Sequence, residues 1–341
     1  SVVETCAVTV KRRVDELWVN GIGNTFYNDG QEHTLTVTFS PEEADFDASA
    51  LSINVTPGQL ELPYDWEVFE ISDGEVDGND VNYTIVARAL CPQATINVEY
   101  DGASVEEGGN TISSEQYVEI VEKITVAEGW SWISLINSSL SVNEFSKTLI
   151  EARSKTDLVY NDARYGLFGT LNDMTEAEAY KVNMLSSASV VAIANMFSND
   201  GSINDKVFSK GWNWVSYPYE YTYTVEEIFN AANFSEGDII LSKNNGFATR
   251  TSGAWVGSLT ELVPQEGYMI YTSAATTTSM PNRFTLEQGS FVLSNASKAA
   301  SYGASVWVVD GSKFANTMPV IAKVDVEETE NYSVVAFVDG E

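Results

Sequence analysis

One histidine, two cysteines and a short loop crowded with carboxylates are the side chains here whose chemistry could reach beyond packing. His33, in Asp29-Gly30-Gln31-Glu32-His33, stands at the mouth of an alternating apolar run. A Ser-His-Asp triad would have to use it, and no Gly-x-Ser-x-Gly elbow supplies the nucleophile. One His and two well-separated Cys cannot complete a three- or four-ligand zinc site. Phosphate-cradling loops of the Gly-x-x-x-x-Gly-Lys-Ser/Thr or Gly-x-Gly-x-x-Gly kind do not occur either. Glycoside hydrolysis needs two carboxylates at a set separation, which a chain with 49 Asp and Glu satisfies by accident. Small β-rich modules offer little depth for such a cleft, so the reading is non-enzymatic and without a cofactor.

Ca²⁺ is the one ion the sequence could take. Asp73, Glu75 and Asp77 stand at positions 1, 3 and 5 of a loop with Gly78 at position 6, and Asp80 follows. That is the first half of a calcium loop, but position 12 is Thr84, where the bidentate Glu belongs. An acidic double turn between two strands accounts for the same residues without a metal. Cys6 and Cys91 both lie in strand-like contexts in the first third of the chain. A Cys6–Cys91 disulfide in an oxidising compartment is the expectation, with two buried thiols as the alternative.

Aromatic residues carry the remaining functional pattern. Tyr217, Tyr219, Tyr221 and Tyr223 recur at alternate positions, which on a strand would put them on one face. Tyr217, Tyr219 and Tyr221 are the candidate wet aromatic surface, with interdomain packing as the competing account. Trp255, near Arg250 and Gly253, is a second candidate exposed ring. The pairs Trp130/Trp132 and Trp212/Trp214 are spaced by two, and each pair either fills a core or lines an open face where sugars could stack. The expectation for these four is core.

Elements that position such residues are mostly strands. Leu35, Val37 and Phe39 alternate with Thr, as do Leu51, Ile53 and Val55 with polar neighbours, and turn dipeptides such as Pro57-Gly58, Asp77-Gly78 and Asp101-Gly102 intervene. Residues 1–105 therefore read as a β-sandwich. A Gly- and Glu-rich passage after Val105 reads as a connector to a strand at Ile120–Val126. Glu128-Gly-Trp-Ser-Trp-Ile-Ser134 then returns as Lys210-Gly-Trp-Asn-Trp-Val-Ser216. A period of about 80 residues is too long for a solenoid and marks a duplicated domain. Asp157-Leu-Val-Tyr160 is paired with Asp238-Ile-Ile-Leu241, and Tyr180 with Tyr268. Helices are expected at Val142–Ala152, capped by Ser141, and at Thr224–Ala232, where Thr224 and Glu227 form a capping box. The modules are thus two small α+β units, 106–203 with its linker and 204–280. Residues 281–341 read as a C-terminal β-rich segment whose last turn, Asp339-Gly340-Glu341, leads one to expect either more chain or a strand that pairs back.

Two resemblances sharpen this. Leu35 to Phe46 followed by Leu51-Ser-Ile-Asn-Val55 resembles the opening of bacterial immunoglobulin-like domains. Gly211-Trp-Asn-Trp-Val-Ser-Tyr-Pro218, Glu236-Gly-Asp-Ile-Ile-Leu-Ser-Lys243, Trp255-Val-Gly-Ser-Leu-Thr260 and Pro264-Gln-Glu-Gly-Tyr-Met269 resemble a repeat of large surface and secreted proteins of Bacteroidota. The first copy departs from it at Leu167-Phe-Gly-Thr-Leu171 and Glu176-Ala-Glu-Ala179. The resemblance implies a cell-surface or extracellular location and an adhesion-type role, binding host or microbial glycan or protein. A stalk with no ligand of its own and an accessory carbohydrate-binding component are the alternatives.

Charge and hydropathy agree. With 18 Lys and Arg against 49 Asp and Glu, the net charge is −31, and nucleic acid and anionic membranes are poor partners for such a field. No run nears the ~18 apolar residues that a membrane helix needs, so no membrane insertion of this region is expected. A start at Ser1, with no charged-plus-apolar leader, is what a processed exported precursor would give.

Overall fold

The computed structural model describes residues 13–42, 44–58, 66–102, 111–195 and 205–282, with 286 and 288. Cys6 and nearly all of the segment from 281 to 341 lie outside the described residues. Strand dominates a mainly β, multidomain chain: among the described residues there is one α-helix, of four residues, beside short 3-10 turns. The described residues divide into two compact units, one up to Lys123 with the stretch from Ile193, the other made of Ile124–Ala192 and the residues from 205 onward.

The first unit holds β1 (Glu16–Asn20), β2 (Thr25–Tyr27), β3 (Glu32–Ser40), β4 (Leu51–Thr56), β5 (Phe69–Ile71), β6 (Glu75–Asp77), β7 (Asp80–Ala87), β8 (Cys91–Tyr100) and most of β9 (Ile112–Val126). One sheet runs β1-β3-β7-β5 with β6 also on β7, and a second runs β4-β8-β9 with β2 parallel to β9. The alternation in β3 explains the layering. Leu35, Val37 and Phe39 are buried while the threonines between them are half-exposed. Phe39 meets Tyr100 of the other sheet at 5.0 Å and Phe26 meets Phe69 at 4.8 Å, closing a core of edge-to-face rings. β9 begins at Ile112, well inside the passage expected to be a connector. Its polar half alternates Ile, Ser, Gln and Tyr against β8, so composition masked a long strand.

The second unit contains both repeats. The first supplies β10 (Gly129–Ser134), β11 (Ser138–Ser141), β12 (Leu149–Arg153), β13 (Leu158–Asp162), β14 (Gly166–Gly169), β15 (Asp173–Thr175), β16 (Ala179–Met184) and β17 (Ala188–Ala194). The second supplies β18 (Asp205–Phe208), β19 (Gly211–Val215), β20 (Tyr223–Thr224), α1 (Val225–Ile228), β21 (Ile239–Ser242), β22 (Phe247–Thr251), β23 (Ala254–Gly257), β24 (Glu261–Leu262), β25 (Tyr268–Thr272) and β26 (Thr276–Ser279). Each repeat builds one five-stranded antiparallel sheet in the same order, β10-β16-β12-β13-β14 and β19-β25-β21-β22-β23. The two segments that share the Trp motif thus share one strand order.

Three expectations about the repeats fail, one of them in part. Val142–Ala152 is not a helix: only Val142–Phe145 turns, as 3-10, and Leu149–Arg153 is strand β12 between β13 and β16. Phe145, Leu149 and Ala152 are all buried, so a helical spacing arose from a turn followed by a strand. The second stretch keeps its capping box, Thr224 N to Glu227 Oε2 at 2.7 Å and Glu227 N to Thr224 Oγ1 at 3.2 Å, but closes after one turn. The strand pairing by Asp157 and Asp238 is also off by one strand. By sheet order β12 matches β21, and the Asp157-led β13 matches β22. Three residues separate turn from strand in the first copy and ten in the second, which shifts the frame while keeping the spacing from the Trp motif almost equal.

Candidate functional site

The acidic loop forms a hairpin. Asp77 pairs with Asp80 across a two-residue turn, Gly78-Asn79, with Gly78 at φ 62. Glycine at the first central position suits a type II′ hairpin turn, which matches the twist of the flanking strands. Asn79 is tied to β3, its amide nitrogen donating to Phe39 O and its carbonyl accepting Phe39 N at 3.1 Å. Asp73, Glu75 and Asp77 are exposed, and among the described residues no three His, Cys, Asp or Glu side chains converge as metal ligands would. His33 is half-buried, its ring 5.0 Å from Phe26. Cys91 is buried, its Sγ donating to Gln93 O at 3.0 Å.

The tyrosine row is interior, contrary to the wet surface expected. Tyr217, Tyr219 and Tyr221 are 0, 2 and 0 % exposed. Residues 217–222 form a loop instead of a strand, with Pro218 in it, so alternate residues need not share an open face. Tyr217 OH donates to Tyr221 O at 2.7 Å and accepts Tyr223 N at 3.1 Å, and Tyr219 OH donates to Pro281 O at 2.8 Å. Burial pushes the Tyr217 and Tyr219 phenols above their ordinary range. Trp255 is half-buried as well: Nε1 donates to Phe229 O at 2.6 Å and the ring packs 5.0 Å from Phe234. The tyrosines pack the loop between β19 and β20 into the second repeat, and Trp255 holds the ten-residue connection through Phe229 and Phe234.

Of the four motif tryptophans, only Trp132 is buried as expected, at 4 % exposure, and it lies at the seam between the copies instead of in the first core. Trp212 is 41 % exposed and Trp130 and Trp214 are half-buried, while their strand neighbours Ile133, Asn213 and Val215 are buried. Asn213 closes its strand end through Nδ2 to Ser209 O at 2.8 Å and Gly211 O at 3.0 Å. The first core gathers Ile133, Tyr180, Val182, Ala152 and Val159 with Phe145. Trp130 and Trp132 alternate with that set and so belong to the outer face of the sheet.

Between the copies, the motif makes a seam. Lys181 Nζ sits 4.7 Å from the Trp132 ring centroid and 4.5 Å from that of Trp214. Burial, with Arg153 and Lys243 nearby, pulls the Lys181 ammonium down to about 8. Ile133 bridges to Glu266 in antiparallel fashion, with Ser134 N on Gln265 O and Gly267 N on Trp132 O, both at 3.1 Å. Ser134 Oγ donates to Glu266 O at 2.9 Å and accepts Tyr217 N at 3.1 Å. Buried Glu266 accepts from Ser242 Oγ, Asn245 Nδ2 and Tyr268 OH, each at 2.9 Å, and burial raises its carboxyl.

Facing away from the first core is a row that the sequence reading missed. Register places Trp130 opposite Asn183, Asn183 opposite Glu151, Glu151 opposite Tyr160 and Tyr160 opposite Phe168. Directly opposed residues in antiparallel strands share a face, so these five cross the whole sheet in one line. Tyr160 is 47 % and Phe168 73 % exposed. Beside them Arg153 stacks over Trp130 at 5.1 Å and is ion-paired with Glu151. The β13–β14 turn fixes the outer end: Asp162 Oδ1 accepts Arg164 N at 2.8 Å and Tyr165 N at 3.0 Å, and Gly166 at φ 73 closes a three-residue loop. The same row in the second repeat reads Trp212, Tyr271, Ile239, Thr249 and Val256. The sequence comparison already set Phe168 against Val256, but the frame shift at Asp157 and Asp238 hid the match of Tyr160 with Thr249.

No family model matches the chain, and no curated protein matches it.

Proposed function

We propose that this chain is a non-catalytic, adhesion-type protein of the cell surface or exterior of a Bacteroidota-like bacterium, holding a glycan or protein ligand on the outer sheet face of its first repeat. The observation that carries the reading is the exposed aromatic line ending in Tyr160 and Phe168, flanked by hydrogen-bonding side chains. Isolated exposed rings are ordinary, but aromatic rings aligned with Arg and amide groups on one open face favour recognition over a purely structural role. The charge of −31 fits this, since it keeps a display protein soluble and away from anionic polymers.

The test is attachment. Fluorescently labelled protein is applied to bacterial cells, epithelial cells and immobilised matrix, and saturable binding to at least one of them is expected. Uniform silence from a cooperatively folded sample would overturn the reading in favour of a stalk.

A further inference from the structure

The binding role proposed above leaves the ligand class open, and the geometry of the first repeat narrows it. Neighbouring strands lie about 4.8 Å apart, so the four steps from Trp130 on β10 to Phe168 on β14 span about 19 Å. A pyranose ring is about as long as one such step. The line sets rings and hydrogen-bonding groups side by side: Trp130 under Arg153 at one end, Asn183 and Glu151 in the middle, Tyr160 and Phe168 at the other end. Sugars present both kinds of surface, with apolar C–H faces that stack on rings and equatorial hydroxyls that need donors and acceptors. The Arg153 side chain, 39 % exposed, and the half-buried Glu151 carboxylate stand side by side in the middle of the line, where a sugar hydroxyl would accept from one and donate to the other.

Charge decides between sugars. The Arg153 guanidinium is already neutralised by Glu151, so the line offers no free cation to an acidic sugar, and the whole chain carries a net charge of −31. Width decides against a protein. A stable protein interface covers about 800 Å² on each partner around a central cluster, whereas here the rings form a single file across the strands. We infer that the outer face of the first repeat binds an extended, uncharged glycan laid across the strands, its rings stacked on Tyr160 and Phe168 and its hydroxyls held by Asn183, Glu151 and Arg153. The equivalent line of the second repeat, with Tyr271, Ile239, Thr249 and Val256 in place of Asn183, Glu151, Tyr160 and Phe168, keeps rings at its inner end but lacks the charged centre and the outer ring pair, and takes no sugar.

This inference rests on the proposed binding role, and its test separates the two. The full chain is run in affinity gels containing xylan, galactomannan, hydroxyethyl cellulose or starch as uncharged probes, and polygalacturonate or chondroitin sulfate as acidic ones. At least one uncharged polymer should retard the protein. Tyr160→Ala with Phe168→Ala should weaken that retardation at least tenfold at an unchanged melting temperature, and Trp212→Ala with Val256→Ala should leave it intact. Retardation by acidic polymers alone, no retardation by any uncharged polymer, or equal loss in the two double variants would overturn the inference. If the protein still attaches to cells in a way that protease abolishes and periodate does not, the adhesion role stands and the glycan assignment falls.

Discussion

The two repeats share strand order, Trp motif and hairpin positions, yet their outer faces have parted. In the first, the line across the sheet runs Trp130, Asn183, Glu151, Tyr160, Phe168; in the second it runs Trp212, Tyr271, Ile239, Thr249, Val256. Their interiors have parted in the opposite sense. Where the first copy packs Leu135 and Ile136, the second packs a knot of hydrogen-bonded tyrosines under a longer connection. A duplicated sheet keeps its backbone because both faces of every strand depend on register, but only one face carries the core. Side chains on the other face are free to change without loss of fold, and that is where the two copies differ, one with a charged centre and outer rings, the other with Ile239, Thr249 and Val256.

The largest expected effect tests the interior side of that contrast. Tyr217→Ala or Tyr221→Ala removes a fully buried ring and, for Tyr217, leaves the Tyr223 N–H and the Tyr221 carbonyl without their partner. Either substitution should cost about 3–5 kcal/mol, as deletions of buried aromatic side chains do, read as a shifted urea midpoint. A cost below about 1 kcal/mol would mean that the tyrosine loop is not part of the second core.

A smaller effect belongs to the seam. The folded Lys181 ammonium is lowered to about 8 from an ordinary 10.5, so between these values the unfolded chain still holds a proton that the folded chain has released. Stability contributed by this group therefore rises with pH across that window. The melting temperature of the wild type relative to Lys181→Met should move in favour of the wild type from pH 8 to pH 10. Tyr217 and Tyr219 act oppositely near the top of the window, since their raised phenols favour the unfolded chain once it ionises, but both proteins carry them and the difference cancels. A flat difference would show that the ammonium between Trp132 and Trp214 is well solvated.

The smallest effect concerns the plain outer face. Trp212 is 41 % exposed and touches Tyr271 edge-on at 5.5 Å, so Trp212→Ala should cost no more than about 1 kcal/mol in a thermal melt. A loss comparable to that of Tyr217→Ala would place Trp212 in a core and erase the distinction between faces.

How much of this was legible in the sequence follows from the range of each cue. Strand alternation and turn dipeptides act over a few residues, so the β-rich class and the duplicated Trp motif could be read directly. The Thr224–Glu227 capping box was equally local and is present. Orientation was not legible. Trp pairs with an apolar neighbour read as core by composition, yet which face of β10 and β19 is inward depends on strands 50 residues away in sequence, β16 and β25. The tyrosine row failed for the same reason, since a period of two has meaning only where the backbone is a strand. Tyr160 and Phe168 become neighbours only through the β13–β14 turn, and no cue within either strand marks them as a pair.

The Ile133–Glu266 bridge and the lysine between Trp132 and Trp214 carry one more consequence. Each copy supplies backbone and ring surface that the other packs against, so the two together form one folding unit. Deleting either copy would uncover a strand end, a carboxylate and an indole that the pair buries.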